Sequence, residues 1–230
     1  MESHLSLTPI KASELHLDSL PRATKKAFML LSGNNLVGQR DLYLAGGTAL
    51  SLQVGHRKSI DLDFFTSQKD FPFESLSRDL AFTDFWKFKH MEHNTLFGKV
   101  HDADVSFIAY PFFHPSPRML QCGTIRMLYP EDIAVMKIIA ISQRGRKRDF
   151  VDLYWYATHR EPLIGVIKRV GTHFPGQEKN LEHFIKSLTY FVDAERDKMP
   201  ALHFHTNWRT IKKFFQDEAK NLARDLLGIS

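Results

Sequence analysis

Two neighbouring segments, Leu44-Ala45-Gly46-Gly47-Thr48-Ala49-Leu50 and Ser59-Ile60-Asp61-Leu62-Asp63-Phe64-Phe65, restrict this chain more than any other feature. An apolar run that ends in two glycines predicts a strand turning sharply into a helix, with backbone N–H groups free to approach an anion. The second segment alternates with period two, so Asp61 and Asp63 share one strand face while Ile60, Leu62 and Phe64 are expected to point into the core. Paired carboxylates on a strand suit Mg²⁺, which takes oxygen ligands and leaves positions for substrate phosphates. The order strand, glycine turn, helix (48–53), loop, acidic strand is therefore a layout for holding a metal-bound nucleotide.

This arrangement resembles the DNA polymerase β-like nucleotidyltransferase superfamily, in which Gly-Gly or Gly-Ser precedes an Asp-x-Asp strand. A second block narrows the resemblance. Pro130, Glu131 and Asp132 open a helix with proline first and acids at the positive end of the dipole. Lys137 lies within it, Gly145 stops it, and Arg148-Asp149 with Asp152-Leu153 restarts a helix. Gly46 to Leu50, His56-Arg57, Ser59, Asp61 to Phe65, Lys137, Arg148-Asp149 and Asp152-Leu153 together resemble the AbiEii/AbiGii family of nucleotidyltransferase toxins, over residues 43–156.

The resemblance implies an α+β protein with a mixed-sheet, polymerase β-like core followed by a C-terminal helical part. The pattern puts the boundary at Tyr129, giving residues 1–129 as the α/β core and 130–230 as the helical part. In the first part, helices are expected at 21–31 and 73–80, and strands at 42–45, 60–66, 85–91, 95–100, 103–109 and 124–128. The prolines Pro111, Pro115 and Pro117 interrupt the sheet before the last of these strands. In the second part, helices are expected at 131–142, 148–158, 163–170, 178–191 and 208–227.

The family also implies nucleotidyl transfer from a nucleoside triphosphate (NTP), with two Mg²⁺ ions, to an acceptor hydroxyl. Gly46, Gly47 and Thr48 would cradle phosphates, and Asp61 and Asp63 would hold metal. A third carboxylate is expected on a neighbouring strand, with Asp104 the candidate and Asp102, of the same parity, its alternative. Lys137 suits charge neutralisation at the triphosphate. Arg57 and Ser59 would touch phosphate or orient the loop, and Asp149 and Asp152 would hold Lys137 or contact nucleotide. The implied partners are RNA, with tRNA first, and a winged-helix antitoxin. Transfer to a small hydroxylated molecule and nucleotide binding without turnover are the competing readings.

Composition sets outer limits. A chain of 230 residues with 43% hydrophobic content can bury a substantial core. Its single cysteine, Cys122, excludes an internal disulfide framework, and no apolar run reaches membrane-spanning length, so a cytoplasmic protein is expected. The net charge of +5 favours an anionic partner, with a basic cluster at Arg144, Arg146, Lys147 and Arg148. The histidines lack zinc-site spacing, and His203 and His205 read as surface residues.

Overall fold

The computed structural model describes residues 5–228. The chain divides into two compact units, Met1–Tyr129 and Pro130–Ser230. In the first unit the strands are β1 (Ser6–Pro9), β2 (Tyr43–Ala45), β3 (Leu62–Thr66), β4 (Trp86–Glu92), β5 (Thr95–Val100), β6 (Ala103–Ala109), β7 (Arg118–Cys122) and β8 (Ile125–Leu128). They form one mixed sheet in the order β1-β7-β8-β2-β3-β6-β5-β4. Helices α1 (Arg22–Ser32), α2 (Asn35–Gly38), α3 (Gly46–Val54) and α4 (Phe73–Ala81) complete the unit.

The alternation of the acidic segment becomes the pleat of β3. Leu62 and Phe64 are fully buried, and Phe64 stacks on Phe107 of β6 with ring centroids 5.4 Å apart. Asp63 and Phe65 occupy the other face and are only partly buried. Strand β3 runs antiparallel to β2, with Ala45 opposite Asp63, and parallel to β6, with Asp63 opposite Ser106.

The structure departs from expectation at several places. Ile60 does not join the core: it lies before the strand begins and is 58% exposed. Strands β1 and β7 were not anticipated, and they pair with each other in parallel, Ser6 opposite Arg118. The segment 178–191 is not one helix but a short 3-10 turn, α9 (Leu181–Ser187) and a turn leading to α10 (Val192–Glu195). The Ser187 hydroxyl bonds the His183 carbonyl and that of Thr189 bonds the Lys186 carbonyl at 2.9 Å. Such local bonds compete with the helical ladder.

The other helices of the second unit are α5 (Pro130–Gln143), α6 (Lys147–His159), α7 (Leu163–Lys168), α8 (Val170–His173) and α11 (Trp208–Leu227). The predicted stretch 163–170 thus breaks at Arg169, whose guanidinium pairs with Glu161. An aromatic core joins α6 to α11, with the Phe150 ring 5.3 Å from Phe215, 5.2 Å from Phe191 and 5.8 Å from Trp208. Edge-to-face contacts of this kind add to area burial. Asn207 caps α11 through its side-chain oxygen, which accepts from Thr210 N at 2.9 Å.

Candidate active site

Helix α3 begins at the glycines themselves, because β2 ends at Ala45 and Gly46 adopts φ +69° to make the turn. A side chain at that conformation costs about 1–2 kcal/mol, which glycine avoids. Among the described residues no side chain caps α3, and its first turn carries no acid. The N–H groups of that turn therefore lack intrahelical acceptors and sit at the positive end of the helix dipole, an arrangement that favours an anion.

Asp63 faces this turn. Its Oδ2 lies 3.6 Å from where a Cβ on Gly46 would sit, and its Oδ1 accepts a hydrogen bond from Ser106 Oγ. Ser106 is almost completely buried, so its hydroxyl fixes the carboxylate with little freedom. Asp61 precedes β3 and, like Asp63, is half-buried. Its position is set through the main chain: the Thr48 hydroxyl donates to the Asp61 carbonyl and lies 2.8 Å from Ser59 Oγ. Ser59 N in turn donates to Ser19 O at 3.1 Å, and Thr24 Oγ1 to Ile60 O at 2.7 Å.

The structure thus brings together Gly46, Gly47, Asp63 and the loop carrying Asp61, and it redistributes three other expected roles. Thr48 is 3% exposed with its hydroxyl turned to the loop, so it shapes the site rather than opening onto it. Arg57 is buried, and its Nη1 donates to the Lys58 carbonyl at 2.9 Å, which with Ser59 supports loop orientation. Asp104 is held by a pairing that was not expected. It shares the sheet face of the other two acids and, one step before the Leu62–Val105 pair, falls level with Asp61, but its carboxylate is half exposed and ion-paired with Lys89 of β4. Among the described residues no three His, Cys, Asp or Glu side chains gather to hold a metal.

The donor set still fits one Mg²⁺, which is commonly held by one or two carboxylates and completes its shell with water and substrate phosphate. The Asp63 oxygen beside the glycine turn, with no Cβ in between, is the feature that fits. Sequence reasoning missed Ser106 as a partner of Asp63. Parity had put it on the right face, but only the β3–β6 register shows which residue of β6 touches which of β3.

In the second unit, Lys137 of α5 lies between two acids of α6, its Nζ 2.6 Å from Asp149 Oδ1 and 2.8 Å from Asp152 Oδ2. All three are buried, and Asp149 Oδ2 has no hydrogen-bond partner among the described residues.

Comparison with solved structures shows the same fold in JHP933 from Helicobacter pylori, with a TM-score of 0.52 at 18% identity over 91% of this chain and 95% of that one. The nucleotidyltransferase toxin MenT4 of Mycobacterium tuberculosis gives a TM-score of 0.51 at 14% identity, covering 90% of this chain and 86% of its own. The strand, glycine turn, helix and acidic strand of this chain sit on that shared fold. Among sequence relatives, an uncharacterised protein of Aquifex aeolicus is 33% identical over 184 residues, 78% of this chain and 87% of that protein. The family described as nucleotidyl transferase AbiEii toxin, type IV toxin–antitoxin system, matches residues 30–86 and 102–225, and the chain belongs to it. Membership implies an NTP substrate and an antitoxin partner. Among the described residues no helix is long and apolar enough to cross a membrane.

Proposed function

We propose that this protein transfers a nucleoside monophosphate from an NTP to a hydroxyl of RNA, with tRNA the first acceptor to test, as the toxin of a cytoplasmic pair with a winged-helix antitoxin. The observation that carries the reading is the Asp63 carboxylate set against the uncapped start of α3. One element there is built for phosphate and the other for a divalent cation.

Asp61 and Asp63 would hold Mg²⁺, which when bound neutralises charge on the phosphates. The first-turn N–H groups of α3 hold the phosphate tail, and Ser106 keeps Asp63 in one orientation. The acceptor oxygen bonds to the α-phosphorus, the α–β anhydride bond breaks, pyrophosphate departs, and the hydroxyl proton passes to solvent. Most of the rate gain in such transfers comes from positioning and electrostatics. Two buried acids holding Lys137 support a structural role for that trio within the second unit.

The test incubates the protein with Mg²⁺, each labelled triphosphate in turn, and RNA, protein or small-molecule acceptors. An Asp61→Ala/Asp63→Ala variant serves as control. Label entering RNA, and lost in the variant, is the expected result. Label confined to a small molecule would shift the acceptor class, and transfer that survives in the variant would overturn the site.

A further inference from the structure

The first unit carries a second feature that the transfer site does not use. Arg22, Lys25, Lys26, Met29 and Leu30 of α1, with His101 from the β5–β6 turn, line an open groove of about 720 Å³. Arg22, Lys25, Lys26 and Met29 fall at i, i+3, i+4 and i+7, one side of the helix. The opposite side, Thr24, Ala27, Phe28 and Leu31, is buried in the unit.

The charge of this groove is one-sided. No acid lines it, and among the described residues Arg22, Lys25, Lys26 and His101 make no ion pair and no side-chain hydrogen bond. Several exposed lysines elsewhere are balanced locally, as in Lys89–Asp104, Lys186–Glu182 and Lys213–Asp217. The stripe from position 22 to 29 spans roughly 10 Å at the rise of an α-helix. Met29, 43% exposed, adds apolar surface among the cations.

Its place in the sheet ties the groove to the carboxylates. Thr24 anchors α1 on the carbonyl of Ile60, the residue before Asp61. His101 stands just before β6, whose Val105 pairs with Leu62. Both groups therefore lie at the end of the sheet where the acidic strand begins.

We propose that this groove seats the phosphate backbone of a single-stranded stretch of RNA, guiding the acceptor toward Asp61 and Asp63. The assignment rests on reading those acids as the transfer centre. A run of cations with apolar surface between them matches a repeating anion that carries flat, partly apolar bases. A triphosphate is served by α3 and needs no such stripe.

The experiment compares wild type, Arg22→Ala/Lys25→Ala/Lys26→Ala, and a charge-matched control, Lys179→Ala/Lys198→Ala/Lys220→Ala, with circular dichroism confirming that each is folded. Fluorescence anisotropy with a labelled single-stranded oligoribonucleotide is followed across a salt titration, without NTP. Losing three phosphate contacts should lower the log–log salt slope by about 2 and weaken binding at least tenfold at 0.1 M salt, roughly, with the control near wild type. In transfer assays KM for RNA should rise while KM for NTP and kcat at saturating RNA stay unchanged.

An unaltered slope and affinity in the triple variant overturns the groove, as does a loss confined to an acidic polypeptide such as polyglutamate. A wild type that gives no anisotropy change with RNA overturns it too. Should wild type transfer nothing to RNA while the triple variant still shows the reduced slope, the groove stands and the transfer reading falls. Transfer with wild-type KM in the triple variant does the reverse.

Discussion

Replacing Lys137 with methionine tests how the helical unit is held together. The substitution keeps the stem and deletes the ammonium that lies 2.6 Å from Asp149 Oδ1 and 2.8 Å from Asp152 Oδ2. Both oxygens lie within 2.8 Å of that ammonium, so two like charges then face each other at close range without the cation between them. At an effective dielectric of about 20, their repulsion is on the order of 3 kcal/mol. Breaking a buried ion pair by removing one partner costs about 3–5 kcal/mol, so both routes agree. In a chain of this length that corresponds to a loss of roughly 10 °C in melting temperature. Urea denaturation at pH 7 measures the loss directly. The companion variant Lys137→Met/Asp149→Asn removes one of the two charges and should recover a large part of it. A Lys137→Met protein within about 0.5 kcal/mol of wild type, or no recovery in the double variant, would refute an ion trio that holds α5 to α6.

Two further outcomes follow from close packing and from charge. Gly98→Ala should destabilise by about 1–3 kcal/mol in urea, because the new Cβ would lie 2.2 Å from the Trp86 ring and 2.7 Å from the Lys87 carbonyl across the β4–β5 pair. The Arg169 guanidinium holds the Glu161 carboxyl below its usual range, more than burial raises it. A lowered folded value contributes stability above the unfolded pKa of about 4.3 and loses it as pH falls through the folded one. Glu161→Gln should therefore be less stable than wild type at pH 7 and converge with it toward pH 3, and a pH-independent gap would contradict this account.

Where structure follows from local chemistry, the sequence was legible. Helix α11 was readable to the residue from Asn207 before it, Gly228 after it and amphipathic spacing between. The alternation from Asp61 to Phe64 predicted which side chains of β3 are buried, and failed only at Ile60, where the strand has not begun. Non-local pairing was the hidden part. Strand β1 has four exposed residues, no alternation, and a partner more than a hundred positions away, so nothing in its own composition signals a strand. That Ser106 bonds Asp63 stayed hidden for a related reason. Parity is local and names the face, whereas register belongs to two strands and is absent from either one. Lys137, Asp149 and Asp152 were singled out by family resemblance, since acids early in a helix are common without a buried partner.

The placement of β1 bears on handling the protein. This short ribbon shields the flank of β7, and among the described residues no other strand closes its own outer flank. Trimming the chain through Pro9 would bare the backbone donors and acceptors of β7, an invitation to sticky strand-to-strand self-association.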